Sequence, residues 1–388
     1  MTVLPRLGSP AIDQLRDEIA EAGSPEACER LVMAFMTRHS LPVSEGDLRT
    51  FVVRAEADQA YLRHRMVIWP QDLPMTRLAG TDLWYLSIEV APGSRVEYHF
   101  DVREGTRWRG FNDPSNPDLA RSPVGDASVC YGAGYRAPHW ARYDSTVSPG
   151  DLVEIKLRSR VQSRENRVTL YLPPGFALTA RYPLLVVHDG GDYLGYASMK
   201  EVLDNLIAAG ELAPVVVAFT HPGERLTEYP DDPRHAAWIT RELVPELETR
   251  YPLEARASGR CLMGTSFGAV ASLATAVRYP QAFSALLLQS GSFVYSDPAV
   301  NHGEGPSFVP VIAFMDSYRS DPVRVADRCF IACGAYEDLI DANRGMLSTF
   351  QQTGMEINYI EALAGHSWDA WRDQLRDGLC WVFPGDRP

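Results

Sequence analysis

Hydrophobic and polar positions change their rhythm three times along the chain. Over residues 11–22, Ile12, Leu15 and Ile19 recur at helical spacing. A second helix is predicted over 27–37, led in by Ser24-Pro25-Glu26, a capping residue with proline at the first helical position. Residues 45–145 then break into short runs rich in β-branched and aromatic side chains, at 51–55, 61–69, 83–90 and 96–102. Leu73-Pro74, Ala79-Gly80 and Pro92-Gly93 punctuate them, the spacing expected of a β-sandwich. From Asp151 onward, strand-like runs fall at 152–157, 167–172, 184–188, 215–220, 260–263, 285–289, 329–333 and 357–362. Helical segments at 196–209, 235–250, 267–278, 340–353 and 368–382 lie between the later ones. Those later strands are almost continuously apolar, as when both faces of a parallel sheet are covered. The alternation predicts a doubly wound, mostly parallel α/β sheet. The expected organisation is N-terminal helices over 1–44, a sandwich over 45–148 and an α/β domain over 149–388.

Bulk properties narrow the classes. A chain of 388 residues is too long for one ordinary small domain. A net charge of −13 argues against a nucleic-acid binder, which needs a basic face. No apolar run approaches the roughly 20 residues that span a bilayer, so no membrane association is expected. Residues 1–10 lack a basic segment followed by an apolar one, so a cytoplasmic location is expected. Cys28, Cys130, Cys261, Cys329, Cys333 and Cys380 are scattered without a C-x-x-C pair. They read as reduced thiols, with no metal site on this spacing.

The chemistry concentrates at Gly264-Thr265-Ser266-Phe267-Gly268, a G-x-S-x-G pattern between a predicted strand and a predicted helix. In α/β-hydrolases such a turn holds the serine in a strained conformation that lifts its hydroxyl above the sheet. Glycines two positions either side remove the collisions the turn would otherwise cause. Ser266 is the expected nucleophile, and the N–H of Phe267 is a candidate oxyanion donor. A serine hydroxyl needs a general base, which this fold supplies from a loop after its last strand. Residues 356–363 form that strand, and Ala364-Gly365-His366 follows, so His366 is the expected base.

The acid should follow the preceding strand, and Glu337 and Asp338 both do. Glu337 is favoured, although either residue could instead be an acid placed at a helix N-terminus. His188-Asp189-Gly190-Gly191 ends an early strand. Gly190 and Gly191 are candidates for the second oxyanion donor, and Asp189 for substrate contact. Arg225 lies beyond another strand end, where it could meet an anionic substrate or pair with Glu228. Residues 302–308 are a candidate lid segment.

Together these motifs resemble the enterochelin (enterobactin) esterases, bacterial siderophore esterases with an immunoglobulin-like N-terminal domain and an α/β-hydrolase domain. The resemblance covers nearly the whole chain. In the C-terminal half it rests on Val187-His188-Asp189-Gly190, Arg225 with Glu228-Tyr229, the Ser266 motif, Gln289-Ser290-Gly291-Ser292-Phe293, Asn343-Arg344, Gly365-His366 and Trp371-Arg372. In the N-terminal half it rests on Gly80-Thr81-Asp82-Leu83-Trp84 and Asp113-Pro114-Ser115-Asn116-Pro117. It implies serine-esterase chemistry on a cyclic trilactone of catechol-acylated serine. Ser266, His366 and Glu337 would act through an acyl-enzyme, with no cofactor and iron carried only by the substrate. Ser367 departs from the aspartate the family often places after its histidine, and the turn at Asp189 also differs in detail. The alternatives are an acetyl or feruloyl carbohydrate esterase with the same mechanism, an acyltransferase, or a hydrolase fold that binds a ligand without turnover.

Overall fold

The computed structural model describes residues 9–297 and 305–386. The chain forms two compact units. The first runs to Arg136 and also takes in Ala335–Asp338 and Leu363–Ser367; the second holds the rest.

The first unit begins with α1 (Pro10–Ala20) and α2 (Pro25–Arg38). The hydroxyls of Ser9 and Ser24 accept the N–H groups of Ile12 and Ala27, so each helix starts at a serine cap followed by proline. Two antiparallel sheets follow. One orders β1 (Val43–Glu45), β2 (Leu48–Arg54), β6 (Leu83–Glu89) and β5 (Thr76–Arg77). The other orders β4 (Leu73–Pro74), β3 (Gln59–His64), β7 (Arg95–Glu104), β10 (Ala127–Tyr131) and β9 (Leu119–Ala120), with β8 (Arg107–Phe111) also on β7.

Strands β2 and β6 are buried on both faces, and their alternation shows why. Phe51, Val53, Trp84, Leu86 and Ile88 share a core with Leu62, Tyr98 and Phe100 of the other sheet. Val52, Leu83 and Tyr85 instead pack with Ile12, Leu15, Val32 and Phe35 of the helices. The predicted strand at 61–69 stops at His64, because His64 Nδ1 accepts the Met66 N–H at 3.1 Å and closes a turn. The short strands β8 to β10 carry too few apolar positions to show in the sequence pattern.

The second unit is built on an eight-stranded sheet among the described residues, ordered β11 (Asp151–Ser159), β12 (Arg164–Leu172), β14 (Val216–Thr220), β13 (Leu184–Val187), β15 (Arg260–Thr265), β16 (Ala285–Gln289), β17 (Arg328–Gly334) and β18 (Glu356–Ala362). β11 and β12 pair antiparallel, and everything from β14 to β18 is parallel. On one face Val186, Leu262, Leu288 and Ile331 pack under α8 (Phe267–Arg278) and α10 (Ile340–Gln352). On the other, Val187, Met263, Leu287 and Phe330 pack under α4 (Met199–Ala208) and α11 (Trp368–Val382). This is a doubly wound α/β-hydrolase sheet.

Helical boundaries shifted in two places. The predicted helix at 196–209 is α4, preceded by a separate short helix α3 (Gly190–Tyr196), so Gly190 and Gly191 form a first helical turn rather than a loop. Ser198, with φ 48°, divides the two. The predicted helix at 235–250 is α6 (Pro233–Ala237) and α7 (Val244–Arg250), joined by a π-helical stretch at Trp238–Leu243. Pro245 explains the widening, since it lacks an N–H and its ring crowds the carbonyl four residues back. Unforeseen were α5 (Arg225–Glu228) and α9 (Phe308–Ser320). Of the lid segment, residues 302–304 lie outside the described residues, and Phe308 begins α9. No helix among the described residues is long and apolar enough to cross a membrane. None of the six cysteines is in a disulfide.

Candidate active site

In the second unit, β15 runs straight into Ser266 and α8. Ser266 has φ 54° and ψ −122°, a conformation a side chain rarely adopts. It is held there by its neighbours: its N–H donates to Gln289 O at 3.0 Å, and its carbonyl accepts the Ala269 and Ser292 N–H groups. Gly264 is required, because a Cβ there would lie 2.3 Å from the Gly268 carbonyl carbon. Gly268 is less constrained, its Cβ coming to 3.2 Å of His188 Cβ. Phe267 opens α8, where the first N–H groups of a helix have no intrahelical acceptor.

The loop after β16 supports this turn. Ser292 Oγ lies 3.1 Å from Ser266 Oγ. Asn343 fixes the loop in both directions, accepting the Gly291 N–H at 3.2 Å and donating to Gly291 O at 2.8 Å. Gln289 is fully buried; it accepts from the Tyr193 hydroxyl and donates to Trp371 O and Gln374 Oε1. Trp371 Nε1 donates to Ser290 Oγ at 2.8 Å. The sequence marked 289–293 and Asn343 as motif residues. It offered no sign that Ser292 touches the serine, because that contact spans 26 positions.

Gly190 approaches β14 closely; a Cβ there would lie 2.5 Å from Phe219 Cα. Asp189, in the left-handed region at φ 54°, precedes it. Arg225 Nε and Nη2 grip the buried Asp189 carboxylate at 2.7–3.0 Å, and its guanidinium lies over the rings of Tyr229 and Phe267. Arg225 therefore pairs with Asp189, not Glu228. Glu228 binds Arg164 at 2.8 Å and accepts the Gly223 and Glu224 N–H groups. Burial would raise the Glu228 pKa, but His235, the Glu224 N–H and Arg164 outweigh it and hold the value down to about 2. Below the nucleophile turn, His188 Nε2 lies 3.0 Å from His235 Nε2, and its Nδ1 faces Met263 O and Ser272 Oγ. Burial, reinforced by His235, pushes the His188 pKa down to about 3, so its imidazole is neutral.

In the first unit, His366 Nδ1 and Glu337 Oε2 are 2.5 Å apart. Parallel pairing of β17 with β18 sets Gly334 opposite Ala362, so the two loops begin side by side. The Glu337 side chain is completely buried, whereas that of His366 is 31% exposed. Asp338 is exposed, and Asp369 pairs with Arg372. Backbone bonds tie the loops down: Tyr336 N–H donates to Ala364 O, Val67 N–H to Tyr336 O, and Arg95 N–H to Leu363 O. Arg95 Nη1 also donates to Glu97 Oε1 at 2.7 Å and to Ser367 Oγ at 3.1 Å. No cluster of metal-ligating side chains occurs among the described residues.

A doubly wound sheet with a serine on a strained strand-to-helix turn, in a chain that also carries a buried carboxylate on a histidine, defines the class: a carboxylic ester hydrolase. Residues 159–382 match the family described as “Putative esterase”, and the chain belongs to that family. It is 25% identical to the iron(III) enterobactin esterase of Dickeya dadantii (strain 3937), over 99% of this chain and 92% of that one. The solved ferric enterobactin esterase of Salmonella typhimurium superposes with a TM-score of 0.72 at 20% identity, covering 86% of this chain and 93% of that one. A ferulic acid esterase from Anaeromyces mucronatus gives 0.50 at 16% identity, covering 63% of this chain and 94% of that one. The enterobactin esterases, the family the motifs resemble, are thus also what the chain matches along its length.

Proposed function

We propose that this protein is a serine esterase that opens the ester bonds of a catecholate siderophore, with Ser266, His366 and Glu337 as its triad. The observation that carries the chemistry is the buried Glu337 carboxylate at 2.5 Å from His366 Nδ1. It fixes the imidazole tautomer, leaving Nε2 unprotonated to accept a proton, and stabilises the imidazolium that follows. Ser266 Oγ attacks the ester carbonyl as its proton passes to His366 Nε2. The carbonyl electron pair moves onto oxygen, where N–H groups of Phe267 and of the Gly190–Gly191 turn would receive it. Losing one such donor typically costs about 2.7–4 kcal/mol of barrier. The intermediate collapses, the leaving alcohol takes the proton from His366, and water clears the acyl-enzyme by the same steps in reverse. Iron enters only as part of the substrate, and the reading places the enzyme in the cytoplasm.

The substrate class rests on coverage. The solved ferric enterobactin esterase covers 86% of this chain, whereas the ferulic acid esterase covers 63% of it. That difference favours the trilactone over acetyl or feruloyl carbohydrate esters. A fluorophosphonate probe followed by peptide mapping tests the mechanism. Modification of the peptide carrying Ser266, lost in Ser266→Ala, is expected; labelling elsewhere, or full esterase activity in Ser266→Ala, rejects it.

A further inference from the structure

The contact between Ser266 and Ser292 is a direct contact of the nucleophile's hydroxyl that the proposed mechanism leaves idle. Ser292 is 2% exposed, and a buried hydroxyl needs a hydrogen-bond partner. Among the described residues the partner of its side chain is Ser266 Oγ, at 3.1 Å. With no second acceptor among the described residues, the Ser292 proton is satisfied by donating to Ser266, which leaves the Ser266 proton for the base. Ser292 is held to this task from both sides: its own N–H donates to Ser266 O, and the Asn343 amide locks Gly291 beside it.

We propose that Ser292 is a further catalytic residue, a hydrogen-bond donor to Ser266 Oγ that acts on departure of the acyl group. The proposal rests on Ser266 being the nucleophile. In deacylation, water adds to the acyl carbon and gives a proton to His366. The acyl carbon–Oγ bond then breaks, the electron pair leaves on Oγ, and Oγ takes the proton back from His366. Acceptor strength at Oγ rises through that step, because an ester oxygen is a poor acceptor and an alkoxide a strong one. The Ser292 bond therefore tightens as the acyl group leaves. In acylation Oγ travels the other way, so the same bond gives no advantage there.

Stopped-flow hydrolysis of p-nitrophenyl acetate by the full-length enzyme separates the two halves. Ser292→Ala is expected to lower kcat about tenfold, the size of one hydrogen bond to a developing charge. kcat/KM should stay within about twofold, and a larger p-nitrophenol burst should precede the steady state. Ser292→Thr, which keeps the hydroxyl, is expected to restore kcat, and equal thermal midpoints show that the variants remain folded. An unchanged kcat, or equal losses in kcat and kcat/KM, overturns the role of Ser292. A burst that persists in Ser266→Ala overturns instead the reading of Ser266, so the two failures are distinguishable.

Discussion

The nucleophile turn and the base–acid pair are built in opposite ways. Ser266 sits inside one unbroken stretch of strand, turn and helix, and most of what strains it is local: Gly264 against Gly268, and the start of α8. His366 and Glu337 come from two loops 29 positions apart, brought together by the register of β17 and β18. The first arrangement can be read from five consecutive residues. The second depends on topology and on residues of the first unit, including Arg95 and Val67. Chemistry encoded locally is legible and intolerant of small changes at its glycines; chemistry encoded by topology is spread over many partners.

Removing the base or its carboxylate breaks the comparison most severely. His366→Ala is expected to lower kcat on p-nitrophenyl butyrate on the order of 10⁵-fold, and Glu337→Gln on the order of 10³–10⁴-fold. Asp338→Asn should leave kcat unchanged within about twofold, since Asp338 is exposed. If Glu337→Gln matches wild type, the buried contact is structural and not catalytic.

The glycines come next. Gly264→Ala forces a Cβ to 2.3 Å from the Gly268 carbonyl carbon, and a loss of about 3 kcal/mol or more is expected in urea unfolding. Gly268→Ala meets side-chain atoms alone, His188 Cβ at 3.2 Å and Asp189 Oδ2 at 3.4 Å the nearest, and should cost about 1 kcal/mol. Equal losses would show that the turn is not constrained on one side.

Arg95→Met tests the spread-out arrangement. Its side chain is 4% exposed, and its guanidinium tethers Ser367, the residue beside the base. Loss of that tether is expected to lower kcat about tenfold with KM unchanged, whereas a purely structural role would lower the thermal midpoint and leave kcat intact.

Acid sensitivity reads the buried imidazole beneath the turn. His188 and Glu228 both have pKa values below those of an unfolded chain, about 3 against 6.5 and about 2 against 4.5. In each case the unfolded chain binds the proton first, so stability is full above the ordinary value and falls as the pH drops toward the depressed one. Stability should decline from about pH 6.5 downward through His188, with Glu228 adding to the slope below about 4.5. His188→Gln should flatten the upper part of the curve in urea titrations between pH 7 and 5; an unchanged slope would contradict the neutral buried imidazole.

The same division explains what the sequence conveyed. The apolar strands of the parallel sheet, the serine turn and the two N-terminal helices were legible, because each is a contiguous pattern. The pairing of Arg225 with Asp189 was not, since 36 positions separate them and Glu228 lay closer in the chain. Helix α3 was hidden behind Gly190 and Gly191, both poor helix formers; Gly190 is required there because β14 passes too close for a side chain. The choice between Glu337 and Asp338 stayed open in sequence for a similar reason: burial, not residue type, separates them.

The most direct test is to incubate the enzyme with ferric and iron-free enterobactin and separate the products by chromatography, with Ser266→Ala in parallel. The account predicts linear trimer, dimer or monomer of the catechol-acylated serine, all absent with Ser266→Ala. An intact trilactone, from enzyme that still hydrolyses simple aryl esters, would contradict the siderophore assignment and leave only the serine mechanism standing.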